Sequence, residues 1–246
     1  DDILGIPLKE IIFDGPDTKL NSTENTQPAI FLVSYCIFQI AKKEFNINFS
    51  KAKFFAGHSL GEYSALASAV YLNFSDTLKL LRTRGDAMQN SVPKGEGGMV
   101  AVLGSTVIEI EKILSEKNNY SSIQIANDNS DGQLVLSGKN FDLDELTKTL
   151  KSRNIRNIKL PVSAPFHCKL MSNATKTMRE EIEKLAFSEG KNILISNVTA
   201  DEIVDKNELK KLLIEQIESR VRWRESVLNM INKDVNHFIC LLYTSP

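Results

Sequence analysis

The chain has 246 residues, of which 42% are hydrophobic and 25% charged, with a formal net charge of −1. That length suits one large domain or a large and a small one, and the near-zero charge removes the electrostatic case for nucleic acid or an anionic membrane as partner. The longest apolar run, Ala29 to Phe38, is too short to span a bilayer and is broken by Ser34; no secretory leader pattern opens the chain, and its three cysteines (Cys36, Cys168, Cys240) lack metal-ligand spacing, so they read as free thiols in a reducing, cytoplasmic compartment.

Leu8 to Phe13 reads as a short helix stopped by the turn signal Asp14-Gly15-Pro16. Thr26-Gln27-Pro28 reads as a helix start, capped by Asn25 or Thr26, with Pro28 in the first turn. The helix it opens runs to Phe45 and is apolar nearly all round through Phe38, which predicts burial on every face. Phe54 to Ala56 is a short apolar strand; Gly57-His58-Ser59-Leu60-Gly61 follows, and good helix formers run from Glu62 to Ala69. Strand, Gly-x-Ser-x-Gly, helix is the layout of a nucleophile elbow, a turn tight enough to demand glycine at its flanks. It sets the serine hydroxyl at the strand's end, beside the first N–H groups of a helix, whose partial positive charge suits a developing oxyanion. A helix capped at Ser75-Asp76 runs on to about Asn90 and carries Arg82 and Arg84.

From Gly95 to Leu160 the pattern changes to strand (Met99–Leu103), helix (Thr106–Glu116), two strands (Ile123–Ala126 and Gln133–Leu136) joined at Asp131-Gly132, helix (Leu143–Lys151) and strand (Ile155–Leu160). That β-α-β-β-α-β order is the ferredoxin-like unit. The fold class is therefore α/β: an α/β-hydrolase-like large domain with a parallel sheet, residues 1–94 and 162–246, with a ferredoxin-like small domain, residues 95–161, inserted. After Pro161 and Pro165 come a helix (Phe166–Phe187), a strand (Ile193–Ser196), two helices (Leu209–Ile217 and Glu225–Ile231) and a final strand (Phe238–Leu242).

A nucleophilic serine needs a base, and there are three histidines. His58 adjoins Ser59 on a turn that points neighbours apart, and His237 opens a strand. His167 lies at the junction of the two domains, where a cleft would be, so it is the candidate base; the alternative is a helix-capping or surface histidine. No acidic residue stands out as its orienting partner. Arg84, on pattern, is a solvated helix cation, but the adjacent Gly85 weakens the helix by about 1 kcal/mol relative to alanine, which implies close approach by another chain segment or a ligand. The basic run Lys151, Arg153, Arg156 and Lys159 reads as solvated, with docking of an acidic partner as the alternative.

The longer string Gly57-His58-Ser59-Leu60-Gly61-Glu62-Tyr63-Ser64-Ala65-Leu66 resembles the active-site signature of the malonyl-CoA:acyl carrier protein transacylases. So do Thr26-Gln27-Pro28-Ala29, Arg84-Gly85 with Met88-Gln89, the hairpin Asn127-Asp128-Asn129-Ser130-Asp131-Gly132-Gln133, the segment Pro161–Met171, and Gln216 in Gln-Ile-x-x-x-Val-x-Trp up to Trp223. The resemblance implies Ser59 as nucleophile and His167 as base, with Gln216 offering a carbonyl, not a carboxylate, to the histidine. The Leu60 N–H would serve the oxyanion, and Arg84 would pair with the malonyl carboxylate. Met88, Phe166, His58 and Asn127 would line the substrate site, Phe166 excluding a methyl branch. It implies no cofactor and no metal, malonyl-CoA as donor, acyl carrier protein as partner, and a monomer. The family also opens with a strand and a Gly-Gln-Gly-Ser-Gln-like loop and continues differently after Ile239, so the chain reads as a fragment with a non-native tail over residues 240–246. Three other readings stand beside this one: an acyltransferase domain of a polyketide synthase, a serine thioesterase or esterase on the same elbow, and a non-catalytic carrier-binding module.

Overall fold

A computed structural model describes residues 1–162, 164–203 and 205–242. The chain opens with α1 (Leu8–Phe13) and α2 (Asp17–Leu20), then the long α3 (Thr23–Lys43). α3 starts earlier than Thr26-Gln27-Pro28 implies, because the side chains of Asn25 and Thr26 bond backward to Lys19 and Leu20 and do not cap it. Pro28 therefore sits inside the helix, where it cannot donate to the Glu24 carbonyl. Arg82 Nη1 supplies that missing donor at 3.2 Å. The helix is also one-sided: Phe31 and Phe38 are buried while Ile37 and Ile40 are exposed, which corrects the expectation of burial all round.

β1 (Phe54–Phe55) leads through the elbow into α4 (Leu60–Ser68), and α5 (Phe74–Gln89) follows, capped by Asn73 Oδ1 on the Asp76 N–H, not by Ser75 or Asp76. Next come β2 (Gly97–Leu103), α6 (Val107–Ser115), β3 (Gln124–Ser130), β4 (Gln133–Lys139), α7 (Asn140–Ser152) and β5 (Arg156–Lys159). A reciprocal capping box between Thr106 and Glu109 starts α6. The last part is α8 (Ser172–Lys184), β6 (Ile193–Ile195), β7 (Glu202–Ile203), α9 (Lys206–Glu215) and α10 (Trp223–Asn232). The helix expected from Phe166 is absent until Lys169, where a single 3-10 turn precedes α8; His167 itself has φ +57° and cannot be helical. Phe238–Leu242 pairs with no strand among the described residues, and Phe238 and Ile239 are exposed. Residues 243–246 of the suspected tail lie outside the described residues, as does Ser163 in the histidine segment.

Two sheets result. β1 and β6 pair in parallel, Phe54 opposite Ile193 and Phe55 opposite Leu194, and β7 adds an antiparallel edge. β2 to β5 form an antiparallel sheet in the order β3-β4-β2-β5, the ferredoxin-like arrangement. Strand alternation sorts its faces. Val100, Val102, Leu134 and Leu136 pack under α6 and α7, while Met99, Ala126 and Val135 face the other way. Phe166 packs against that second face and against the core of α3, α4, α5, α8 and α9, so the histidine segment is wedged where the two halves meet.

The elbow's glycines are not equivalent. A Cβ on Gly57 would overlap the carbonyl carbon and oxygen of Gly61, whereas a Cβ on Gly61 would meet nothing. Gly57→Ala is therefore expected to cost about 3 kcal/mol or more and to lower Tm by roughly 6–12 °C. Gly61→Ala, in the first turn of α4, should be neutral or stabilising by up to about 1 kcal/mol. Thermal denaturation of the pair checks this; equal losses would place the strain elsewhere.

Candidate active site

Ser59 stands between β1 and α4 at φ +53°, ψ −110°, a strained conformation for a residue with a Cβ. Two amide side chains brace it. Asn197 Oδ1 accepts the Ser59 N–H at 2.6 Å, and its Nδ2 donates to the Gly57 carbonyl at 2.8 Å. Gln216 Nε2 donates to the Ser59 carbonyl at 3.1 Å. Asn197 reaches the elbow because the chain leaving β6 runs on beside the chain leaving β1, two residues past the strand's end. Asn197 is absent from the sequence-based candidates; its only signal is a polar residue just past a short apolar strand.

His167 Nε2 lies 2.8 Å from Ser59 Oγ, and His167 Nδ1 lies 2.9 Å from the main-chain carbonyl of Gln216. A carbonyl only accepts, so Nδ1 carries the proton and Nε2 offers its lone pair to the serine hydroxyl. Gln216 follows directly on α9, and carbonyls at a helix C-terminus lack intrahelical partners and carry partial negative charge. That carbonyl can hold the imidazole's tautomer and favour the imidazolium as it forms, the part a carboxylate plays in a Ser-His-Asp triad. Burial, and secondarily the nearby Arg84 guanidinium, hold His167 down to about 3, so the ring is neutral near neutral pH and its Nε2 lone pair is unprotonated.

Arg84 is 1% exposed, and its hydrogen bonds among the described residues go to uncharged oxygens: Nη1 to Gln27 Oε1 at 2.6 Å, Nη2 to Gln216 Oε1 at 3.0 Å and to Ser59 Oγ at 3.1 Å. Its guanidinium also stands 5.4 Å from the centre of the Tyr63 ring. Burial lowers its pKa, against a smaller opposing pull from Tyr63 and Glu62. The expectation of a solvated cation fails because α5 lies flat on the first turn of α3. A Cβ on Gly85 would come within 2.6 Å of the Glu24 Cα, so the glycine admits the α3 backbone and carries Arg84 inward beside Gln27.

The other sequence candidates fall at different distances from this centre. The Leu60 N–H heads α4 and has no acceptor among the described residues, which leaves it free for an oxyanion. Phe166 adjoins His167 and is half-buried between the two cores. His58 Nε2 contacts Asn129 Oδ1 at 2.8 Å and Asn127 Nδ2 at 3.4 Å, with the Trp223 ring edge-on at 5.8 Å. His58 thus ties the elbow to β3. Asn127 lies in the bulged part of β3, held by the backbone bridge to Val221. Met88 departs from expectation: it is 1% exposed in the core, and its sulfur accepts from Gln27 Nε2 at 3.8 Å. It backs the Arg84 ligand Gln27 and does not line open space. Of the basic run, Arg153 is paired with Glu116 and Lys159 with Asp144. Among the described residues no cluster of His, Cys, Asp or Glu could hold a metal, and no helix is long and apolar enough to cross a membrane.

The sequence matches the family model for the acyl transferase domain over residues 1–240. It is 36% identical over 243 residues to the malonyl CoA-acyl carrier protein transacylase of Bacillus subtilis, covering 97% of this chain and 75% of that protein. Among solved structures, the acyl-carrier-protein-S-malonyltransferase of Bartonella henselae superposes with a TM-score of 0.92 at 39% identity, over 96% of this chain and 76% of that one. A malonyl-transacylase solved in complex with a type II PKS acyl-carrier protein superposes with a TM-score of 0.90 at 30% identity, over 95% of this chain and 75% of that one.

Proposed function

This chain belongs to the acyl transferase domain family, and from that premise we propose that it moves a malonyl group from malonyl-CoA to the phosphopantetheine thiol of acyl carrier protein, supplying fatty-acid synthesis. The observation that carries the choice of acyl group is Arg84, a buried guanidinium 3.1 Å from Ser59 Oγ with only uncharged partners. Such a cation is costly unless an anion joins it, and a carboxylate two bonds from a thioester carbonyl fits that need.

In the reaction, His167 Nε2 takes the Ser59 proton as Oγ attacks the thioester carbonyl. The tetrahedral oxyanion forms beside the Leu60 N–H at the start of α4. Collapse expels the CoA thiolate, which the imidazolium protonates, and leaves malonyl-Ser59. The carrier's thiol then gives its proton to His167 and attacks the ester, and Ser59 recovers its proton as the product leaves. Arg84 grips the malonyl carboxylate through its two-pronged fork throughout. Gln216 joins three parts: its carbonyl holds His167, its Oε1 holds Arg84 and its Nε2 holds the Ser59 backbone. Residues 1–94 and 162–246 act as the large domain and 95–161 as the small one, with His58, Asn127 and Phe166 between them bounding the substrate. The reaction needs neither cofactor nor metal, and we place the protein in the cytoplasm as a monomer.

Against a hydrolase on the same elbow stand the carbonyl behind His167 and the guanidinium facing Ser59. Intact-mass spectrometry after mixing with malonyl-CoA is the test. One malonyl group should appear on Ser59, persist in water and disappear when a carrier thiol is added. Rapid loss to water would make the protein a hydrolase; no adduct would make it a binding module.

A further inference from the structure

We propose that Glu62 is a second specificity-determining residue of this site: it is the buried counter-charge of Arg84, and it takes up a proton when a substrate carboxylate docks on that guanidinium. The proposal rests on the malonyl reading above.

Glu62 lies in the first turn of α4 and is 1% exposed. Its Oε2 accepts from Gln216 Nε2 at 2.7 Å and from the Asn197 N–H at 3.2 Å. Its Oε1 is buried and has no hydrogen-bond partner among the described residues. Among the described residues no cation touches it; Arg84 is reached through a single amide, since Gln216 donates from Nε2 to Glu62 and accepts at Oε1 from Arg84. A carboxylate can only accept, so Glu62 fixes which way that amide points, and the oxygen is turned to Arg84. The resting site thus holds one buried cation and one buried anion with an amide between them.

A substrate carboxylate arriving at Arg84 gives two anions to one cation in a desolvated space, an arrangement the low dielectric disfavours. A proton on Glu62 relieves it, and the geometry has a place for one. Protonation at the unpartnered Oε1 leaves both bonds to Oε2 intact. The groups facing Glu62 leave it as the titrating member. Arg84 comes from α5 and Tyr63 from its own helix, with burial lifting the Tyr63 phenol to about 12; the chain after β6 and the chain after α9 present only the amides of Asn197 and Gln216. Burial raises the Glu62 carboxyl to about 7, against the pull of Gln216, Asn197 and Arg84, so the proton is available near neutral pH.

The sign follows. Docking a second anion raises the Glu62 pKa further, so protons are taken up above about pH 7, and affinity for malonyl-CoA falls as pH rises from there. Below pH 7 Glu62 is already protonated and the dependence fades. Acetyl-CoA has no carboxylate to offer and draws no proton, though it carries the same phosphates.

The test is calorimetric titration of the Ser59→Ala protein, which cannot be acylated, with malonyl-CoA and with acetyl-CoA at pH 8 in two buffers of different ionisation enthalpy. Malonyl-CoA should take up close to one proton more than acetyl-CoA. Its affinity should fall by up to about tenfold per pH unit above 7. Adding Glu62→Gln, which keeps the shape and removes the charge, should abolish both effects. Equal proton exchange for the two ligands, or an excess that survives Glu62→Gln, would overturn the proposal. If the double variant does not fold, the two-ligand comparison on Ser59→Ala decides alone. Should malonyl-CoA bind no better than acetyl-CoA, the malonyl reading itself fails and this proposal with it.

Discussion

Ser59→Ala is expected to lower malonyl transfer by on the order of 10⁴–10⁶ in kcat, and His167→Ala by a similar factor. Each removes half of one proton-transfer unit: Oγ and Nε2 are 2.8 Å apart. Without the hydroxyl no ester can form, and without the imidazole the hydroxyl must attack with its proton still in place. The two losses should therefore not multiply, and the double variant should be about as slow as either single one. The fold should tolerate both changes, because the elbow backbone is held by Asn197 and Gln216 and not by the reacting groups. Single-turnover transfer from malonyl-CoA, with Tm measured alongside, is the check. Losses that multiplied in the double variant would mean that serine and histidine act in separate steps, and the acyl-enzyme route would have to be abandoned.

The elbow was legible in the sequence because its geometry is local. Phe54 to Leu66 form strand, turn and helix from their own residues, with Gly57 pressed against Gly61. The β2–β5 unit was legible for the same reason: its strands pair with near neighbours and its two helices show clear one-sided patterns. What could not be read was set by contacts between distant segments. The early start of α3 depends on Arg82, 58 residues away, capping the Glu24 carbonyl that Pro28 leaves free. The inward turn of Arg84 depends on Gly85 lying on the α3 backbone. Nothing local marks what Asn197 and Glu62 do: their contacts appear only when β6 and the chain after α9 close on the elbow. The pairing of His167 with a carbonyl explains why no carboxylate in the sequence stood out as its partner. Phe238–Leu242 shows the opposite failure, a strand-like pattern that meets no strand among the described residues.

Arg84→Ala is expected to lower kcat/KM for malonyl-CoA by about 10²–10⁴, from two charge-assisted hydrogen bonds at about 1.5–3 kcal/mol each. Acetyl-CoA should change far less, or improve. The comparison of substrates matters because Arg84 also donates to Ser59 Oγ at 3.1 Å and to Gln216 Oε1 at 3.0 Å. Removing it alters the nucleophile and leaves acceptors on Gln27 and Gln216 without a donor, and those effects fall on both substrates alike. Their ratio cancels this common factor and isolates the contact made by the malonyl carboxylate. Acetyl-CoA brings no carboxylate, so in the unaltered protein it leaves the buried guanidinium without an anion directly on it, and that penalty disappears with the side chain. Arg84→Lys should fall between, because an ammonium keeps the charge but cannot reach Gln27, Gln216 and a carboxylate with one planar fork. Competition between malonyl-CoA and acetyl-CoA in one reaction reads the ratio directly. An equal fall for both substrates would make Arg84 a support for Ser59 and Gln216, and the selectivity for a carboxylate would have to come from another cation.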